Sequence, residues 1–313
     1  MRVAVVDIGT NSTRLLIADV ASDGALTELE RESVVTRLGD RVDANGQLGD
    51  AAMQRVFDAL THFRELIDRH HVTATTAVLT SAVRDATNGP DFTAQVRERF
   101  DLDARTIGGD EEASLTFAGA QSERPRNGAE VVVVDIGGGS TEFVVGTHAG
   151  EITFHVSTQA GVVRQTERHL HDDPPPPDGV QQLAQEAQEI FIDAIPHDVR
   201  ERVSSAIAVA GTATSCAAIE LELDPYDSAR VHGHTLELGT CELLLARLAQ
   251  MTNDDRKRVT GLHPDRAPTI VAGVAMLIEA MRAFGLEQVE VSEHDLLRGA
   301  ALRLADRSPR RGV

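Results

Sequence analysis

The sequence predicts an α/β protein built from two similar halves, and three observations support this prediction. Nearly the same letters occur twice, as VVDIGTNSTRLLI from Val5 and as VVDIGGGSTEFVV from Val133. Strand-like and helix-like segments alternate after each copy. A polar segment rich in chain breakers, residues 122–128, separates the two halves. We therefore interpret the chain as a duplicated supersecondary unit with two domains.

The elements of the first half follow from apolar spacing. VAVVDIG and LLIADV are β-branched runs joined by a polar turn, which predicts a hairpin. LTELERESVVTRL predicts a third strand. Residues 50–70 predict a helix, because their apolar residues recur every three to four positions. TATTAVLTSAVRDA and ARTIGGDEEASLTFAGAQ each predict a strand that runs into a helix.

The second half begins with the same hairpin, VVVVDIG and FVVGTH. VRQTERHLH predicts a helix that stops at the proline-rich residues 172–179, which no helix crosses. VQQLAQEAQEIFIDAI restarts a helix, AIAVAGTATSCAAI predicts a strand, a Gly-Thr turn and a helix opening, and two further helical patterns flank VEVS. The predicted domains are residues 1–125 and 126–313, with the last helix able to pack back on the first domain.

Composition narrows the classes of function. A net charge of −19 disfavours nucleic-acid polymers and membrane surfaces, and 3% aromatic residues provide no stacking platform. The first residues do not have the form of a signal peptide, and the two cysteines do not make a disulfide framework. We expect a cytoplasmic protein that captures an anionic substrate locally, through backbone amides, arginines or a metal ion.

The two repeated turns carry the chemistry. A strand follows the glycine-rich turn of the second copy, which excludes a dinucleotide site and a P-loop. The amides of such a turn can form a nest for an anion, whereas the alternative is a plain hairpin turn with glycines at positive φ. Since the turn occurs twice, each time after a buried-strand aspartate, we favour phosphate binding.

Each turn follows an aspartate, Asp7 or Asp135, that would repel phosphate unless a divalent cation bridged them. Magnesium suits this role, because it binds one or two carboxylates together with substrate oxygens. The copies differ at Arg14 and Glu142. Arg14 can donate to phosphate, and Glu142 can join Asp135 on the metal; the alternative for each is a solvated strand residue.

Two further segments are ambiguous when their residues are considered alone. The acids of GGDEEA stand at a predicted helix start, where capping is the simpler interpretation. Arg84 of TSAVRDATN follows a predicted strand, and a single arginine is usually a surface residue.

Seven segments together resemble one family: DIGTNSTRLLI, VTRLGDRVDANGQL, TSAVRDATN, GGDEEA, VVDIGGGSTEFVVG, AGTATS and VSEHDLLRGAAL. They resemble the exopolyphosphatase and guanosine pentaphosphate phosphatase family, within the superfamily of actin, sugar kinases and heat-shock ATPases, over essentially the whole chain. The resemblance implies two ribonuclease-H-like (actin-like ATPase) domains around a central cleft. It also implies a cytoplasmic homodimer that releases orthophosphate from inorganic polyphosphate with Mg²⁺ or Mn²⁺. Shorter chains are expected as substrates, because the C-terminal extension of longer members is not found.

The resemblance also implies residue roles. Glu112 would activate water, and Arg84 and Arg14 would neutralise phosphate charge. Asp135 and Glu142 would bind the metal, and Asp7, from the repeat alone, completes the expected metal set. The remaining expected phosphate ligands are Gly9, Thr10, Asn11, Ser12, Gly137, Gly138, Gly139, Ser140, Thr141, Gly211 and Thr212. Leu297 and Pro268 depart from the family pattern, and no role is carried over to them.

Three alternatives stay open at this point. Guanosine pentaphosphate could be the substrate, with a role in the stringent response; the chain could be an ATP-using kinase or ATPase; or it could be a non-catalytic phosphate sensor. Four histidines lack metal-ligand spacing and are interpreted as surface or core residues: His232, His234, His263 and His294.

Overall fold

The computed structural model describes residues 1–124 and 128–307. The predicted boundary between residues 125 and 126 lies outside these described residues. The chain divides into two compact units, one of Met1–Gly119 with the segment that begins at Leu296, and one of Ala120–Asp295. The last helix therefore belongs to the first unit.

Strands and helices alternate through both units. The strands are β1 (Arg2–Ile8), β2 (Ser12–Val20), β3 (Leu26–Val35), β4 (Ala74–Leu79), β5 (Ala104–Thr106), β6 (Glu130–Ile136), β7 (Thr141–Thr147), β8 (Ile152–Thr158), β9 (Ala206–Val209), β10 (Thr235–Glu237) and β11 (Gln288–Val291). The helices are α1 (Val42–Asn45), α2 (Asp50–Arg69), α3 (Ser81–Asp85), α4 (Gly89–Phe100), α5 (Gly109–Gln121), α6 (Val162–His169), α7 (Pro177–Ala194), α8 (His197–Arg202), α9 (Ala210–Glu220), α10 (Ser228–Val231), α11 (Leu238–Ala249), α12 (Asn253–Arg256), α13 (Ile270–Ala283) and α14 (Leu296–Arg307). A short 3-10 helix spans Pro264–Arg266.

The first unit is built on a mixed sheet. Over its described residues this sheet has five strands in the order β3-β2-β1-β4-β5. The first three strands are antiparallel neighbours, whereas β4 and β5 run parallel to β1. Because β1 is covered on both faces, Ala4 and Val6 pack in the cluster with α2, and Val3 and Val5 pack in the cluster with α14. This explains the unbroken apolar run before Asp7.

The second unit repeats the plan with a larger sheet. Among residues 128–295 the sheet has six strands in the order β10-β11-β9-β6-β7-β8. The β6–β7 hairpin is antiparallel and β9 runs parallel to β6, which matches β1, β2 and β4 in the first unit. α13 lies within the core, and every residue of it except Arg282 is buried. None of the described helices is long and apolar enough to cross a membrane.

Most predicted elements are confirmed, and the differences have local causes. α7 begins at Pro177, inside the expected loop, because a proline is tolerated in the first helical turn, where its missing N–H has no partner to lose. The expected Gly-Thr turn is wrong: Gly211 and Thr212 lie in the first turn of α9, which begins directly after β9. The change of direction is made by Ala210, at φ 63°. α11 was not predicted.

Candidate active site

The first hairpin places an aspartate and an arginine opposite each other. Asp7 near the end of β1 pairs in register with Arg14 on β2. The turn closes through a backbone hydrogen bond of 3.0 Å from the Gly9 N–H to the Ser12 carbonyl. A Cβ on Gly9 would lie 3.1 Å from that carbonyl oxygen, so a glycine suits this tight turn.

The second hairpin has the same geometry. Asp135 on β6 pairs in register with Glu142 on β7. The Gly137 N–H donates to the Ser140 carbonyl at 2.9 Å, and a Cβ on Gly137 would also lie 3.1 Å from the carbonyl oxygen. The sequence repeat is therefore a structural repeat as well.

Arg14 binds its cross-strand neighbour. Its Nη2 lies 2.6 Å from Oδ2 of Asp7, and its Nε donates to the same oxygen at 2.9 Å. The Arg14 side chain is 16% exposed and that of Asp7 is 7% exposed. The first hairpin thus holds a largely buried ion pair. The expected roles of Arg14 at phosphate and of Asp7 at a metal stay predictions.

Asp135 and Glu142 put two carboxylates at the matching position. Both are buried, at 8% and 2% exposure, and Ser157 Oγ donates to Glu142 Oε1 at 2.7 Å. Directly opposed residues on antiparallel strands have Cβ atoms about 4.5–5.5 Å apart, and like charges at that spacing destabilise a sheet. A hard divalent cation offsets this repulsion and prefers carboxylate oxygens. The donor set therefore fits the expected Mg²⁺ or Mn²⁺.

The turn of the second hairpin is held by the start of α6. The N–H groups of Val162 and Val163 donate at 2.9 Å to the carbonyls of Gly137 and Gly138. A Cβ on Gly161 would lie 2.4 Å from the Gly138 carbonyl oxygen, so the two backbones meet without room for a side chain. These contacts fix the orientation of the turn's peptide groups, as a preformed anion nest requires.

Side chains complete this support. Thr141 is fully buried, and its hydroxyl donates to the Ala160 carbonyl at 2.7 Å. Arg164 Nε donates to the Gly139 carbonyl at 3.0 Å. Ser140 is buried at 3% exposure. The hydroxyl of Thr141 therefore braces the turn, and its expected contact with phosphate stays a prediction.

The first turn is braced by other segments. Thr10 is buried, and its hydroxyl lies 2.8 Å from Ser81 Oγ at the start of α3. The Asn11 carbonyl accepts from the N–H groups of Thr36 at 3.1 Å and Arg37 at 2.9 Å. The segment that carries Arg84 is therefore tied to the predicted phosphate turn.

Glu112 and Arg84, which the sequence places far apart, come together in the first unit. Glu112 lies in the first turn of α5 and is 7% exposed. Arg84 Nη1 lies 3.2 Å from Glu112 Oε2 and donates to the Ile107 carbonyl at 3.0 Å. A cation and the N-terminal end of a helix thus lie beside this buried carboxylate, and its role as a general base stays a prediction.

The neighbouring Glu111 has a different environment. Arg105 Nη1 lies 2.6 Å from one of its oxygens, and Arg303 Nη1 lies 3.0 Å from the other. The hydrogen bond from Arg105 and the charges of both arginines lower the pKa of Glu111 below its ordinary value, against the opposing effect of partial burial. Glu111 therefore links β5, α5 and α14.

Gly211 lies beside an arginine that sequence reasoning missed. A Cβ on Gly211 would lie 1.5 Å from Arg266 Nη1, so the guanidinium lies directly on this glycine. A cation at the first turn of α9 suits an anion there. Thr212 is buried and faces Gly273 of α13, where a Cβ would meet its hydroxyl at 2.8 Å. A glycine within a helix often marks a close approach by another group, so Gly211 in α9 was the available signal for Arg266.

Ser157 was also missed. Ser157 lies on β8, a strand that the sequence did not predict separately, and it pairs in register with Glu142 on β7. Neither cysteine offers nucleophilic chemistry: both are buried, and burial raises the pKa of Cys216 far above its usual range and that of Cys241 to about 12.

Comparison with known proteins places the chain in a family. The family model described as the Ppx/GppA phosphatase family matches residues 16–308. The chain belongs to the Ppx/GppA phosphatase family. Exopolyphosphatase 2 of Mycobacterium tuberculosis is 39% identical over 97% of this chain and 98% of its own length.

Solved structures of Ppx/GppA proteins share the fold. The Aquifex aeolicus family member aligns with a TM-score of 0.81 at 30% identity, over 99% of both chains. An exopolyphosphatase from Cytophaga hutchinsonii aligns with a TM-score of 0.87 at 26% identity, over 98% of both chains. The predicted fold class, two actin-like α/β domains, is confirmed by these alignments and by the two mixed sheets.

Proposed function

We propose that this Ppx/GppA protein is an exopolyphosphatase that hydrolyses the terminal phosphoanhydride of inorganic polyphosphate. The observation that carries the proposal is the pair of buried carboxylates, Asp135 and Glu142, beside a braced glycine turn. Two carboxylates would repel a polyanion bound at the adjacent turn unless a divalent cation lay between them. The 39% identity to a mycobacterial exopolyphosphatase over nearly the whole chain supports the same substrate.

We assign roles to the residues as follows. Asp135 and Glu142 would hold Mg²⁺ or Mn²⁺, and the cation would offset negative charge on the substrate. The N–H groups of Gly9 and Gly137 close their turns, so the other N–H groups of the two turns would donate to phosphate oxygens. Arg84 orients Glu112 and faces the charge that develops on the transferring group.

The reaction needs one proton transfer on the enzyme. Glu112 accepts a proton from water as the water oxygen bonds to the terminal phosphorus. The bridging P–O bond breaks, and the electron pair leaves on the shortened polyphosphate. Because that leaving group is a stable phosphate anion, no covalent nucleophile is required, which agrees with the inert cysteines.

Several finer assignments accompany this proposal. Shorter polyphosphate chains are the proposed preference, and the cytoplasm is the proposed location. The proposed homodimer is checked by light scattering, which gives the mass in solution. Guanosine pentaphosphate is the second candidate substrate, because the chain belongs to the Ppx/GppA phosphatase family.

The test compares neighbouring glutamates. Phosphate release from polyphosphate of defined lengths, guanosine pentaphosphate and ATP is measured for the parent, Glu112→Gln and the control Glu111→Gln, with Mg²⁺ or a chelator. We expect Glu112→Gln to lose activity by about 100-fold or more, as for a lost general base, and Glu111→Gln to keep it.

Two results would change the proposal. Equal turnover by Glu112→Gln removes the base from its role. A higher kcat/KM for guanosine pentaphosphate than for every polyphosphate length makes the nucleotide the substrate instead.

A further inference from the structure

The second unit brings together two histidines that lack metal-ligand spacing in the sequence. The rings of His232, after α10, and His294, before α14, have centroids 4.1 Å apart with planes at 35°. Glu123 completes a cluster, because one ring nitrogen of each histidine and one oxygen of Glu123 all lie within 4.8 Å of one another. The three residues come from three separate segments, so only the fold assembles them.

Buried groups around the histidines hold the cluster in place. Ser292 is fully buried; its hydroxyl accepts from the His294 N–H at 3.0 Å and lies 3.5 Å from Nδ1 of His232. The N–H of Glu293 also reaches this Nδ1, at 3.3 Å. These contacts position the His232 ring beside the ring of His294.

The cluster is mostly buried on the side of His294 and exposed on the side of Glu123. The His294 side chain is 12% exposed, whereas that of Glu123 is 55% exposed. A solvent-facing glutamate can adjust its position, so the separations of up to 4.8 Å can close to those of a bound ion. Tetrahedral zinc has bonds of about 2.0–2.2 Å to histidine nitrogen and carboxylate oxygen.

The donor types select the cation. We propose that Glu123, His232 and His294 bind a divalent transition metal, with zinc as the best match. Two imidazoles and one carboxylate are a common zinc set with a fourth position for water, whereas magnesium prefers oxygen ligands. This site is separate in residues from Asp135 and Glu142 and does not depend on the proposed hydrolysis.

The position of the ligands in the chain suggests what the metal does. Glu123 follows the passage into the second unit after Gly119, and His294 precedes the passage out of it before Leu296. A bound ion joins both connecting segments to the loop of His232. It therefore stabilises these segments against local opening.

The experiment titrates the metal-stripped full chain with Zn²⁺ against a zinc-selective chromophoric chelator, with Mg²⁺ in excess to fill the site proposed at Asp135 and Glu142. The variants are His294→Ala, His232→Ala and Glu123→Gln. The matched control is His197→Ala, because His197 is 72% exposed, lies 3.2 Å from a single glutamate and has no part in the cluster. Zinc-edge X-ray absorption of the loaded parent reports the ligand types, and thermal unfolding is recorded with and without Zn²⁺.

We expect one equivalent of Zn²⁺ in the parent and in His197→Ala, with a higher unfolding temperature. Each cluster variant should lose affinity by at least about tenfold, since even outer partners of metal sites contribute about 10- to 100-fold. Glu123→Gln keeps the test valid if a histidine variant fails to fold, because its side chain faces solvent. Failure of the parent to bind one equivalent, unchanged affinity in Glu123→Gln, or an absorption spectrum without imidazole would overturn the proposal.

Discussion

Asp135 and Glu142 occupy the positions at which Asp7 and Arg14 face each other in the first hairpin. One exchange of a residue type therefore turns a buried ion pair into two buried acids. The first hairpin pairs opposite charges, whereas the second sets two carboxylates directly across from each other. Under the proposed function, a bound cation would relieve the repulsion between two ionised carboxylates at these positions.

The residue-scale test of this interpretation is Glu142→Gln. Glutamine keeps the oxygen that accepts from Ser157 but removes one of the two opposed charges. We expect the Mg²⁺ concentration for half-maximal phosphate release to rise at least about tenfold. In a chelator, the unfolding temperature should stay equal or increase, because a like-charge repulsion is lost.

The control for this variant is Glu151→Gln, an exposed residue next to β8. An unchanged Mg²⁺ requirement in Glu142→Gln, or a large drop in its stability in the chelator, would contradict the metal role of Glu142.

A second residue-scale prediction concerns pH. Arg105 and Arg303 lower the pKa of Glu111 from its ordinary value of 4.5, so the pairing stabilises the fold most above that value and is lost as pH falls through the lower folded-state pKa. Because these side chains are about a third exposed, the contribution is about 1 kcal/mol or less. Denaturant titration should therefore show that the parent is more stable than Glu111→Gln above pH 4.5. This difference in unfolding free energy should shrink to zero as the pH falls further below 4.5.

The sequence identified the charged residues of the two hairpins as candidates for the site, but it did not show which residues they contact. The repeat identified Asp7, Arg14, Asp135 and Glu142 from the sequence. That Arg14 contacts Asp7 depends on the strand register, which letters alone do not fix. The choice of Glu112 over Glu111 came from a family resemblance, and the structure adds the physical difference: each has its own arginine neighbours.

At the scale of elements, the β6–β7 hairpin depends on the start of α6. The helix N–H groups bind the carbonyls of the turn, and Gly161 allows the two backbones to touch. Hairpin and helix therefore act as one element, which holds the proposed phosphate-binding turn in place without a ligand.

Gly161→Ala tests this coupling. The new methyl group would lie 2.4 Å from both the Gly138 oxygen and the Gly139 carbonyl carbon, so the turn must shift. We expect kcat/KM for polyphosphate to fall at least about tenfold, since misplacing reacting groups by about 1 Å can cost about 100-fold. Gly239→Ala is the control, because nothing lies within 4 Å of its Cβ position. Parental kinetics in Gly161→Ala would show that the turn tolerates displacement.

Helices whose apolar residues recur regularly could be predicted from the sequence. Helix ends that depend on the local backbone conformation could not. Residues 50–70 were predicted as a helix and α2 spans Asp50–Arg69, because its apolar face packs on the sheet. The start of α7 at Pro177 and the missing turn at Gly211 depend on backbone details that periodicity does not encode. α13 is apolar almost all round, as expected for a helix inside a core.

At the scale of the whole molecule, a net charge of −19 and a polyanionic substrate require local capture. The amides of two braced turns, a few arginines and a cation held by Asp135 and Glu142 supply it in our proposal. This arrangement could be predicted because the repeated motif is visible in the sequence. The grouping of Glu123, His232 and His294 could not, because contacts between distant segments leave no periodic signal.

The most direct test of the central claim is single-turnover hydrolysis of polyphosphate in ¹⁸O-labelled water by the parent and by Glu112→Gln, with substrate binding measured in parallel. The account predicts one labelled oxygen in the released orthophosphate, and a rate that falls by about 100-fold or more in the variant while binding persists. Label in the shortened chain instead, or a parental rate in Glu112→Gln, would contradict it.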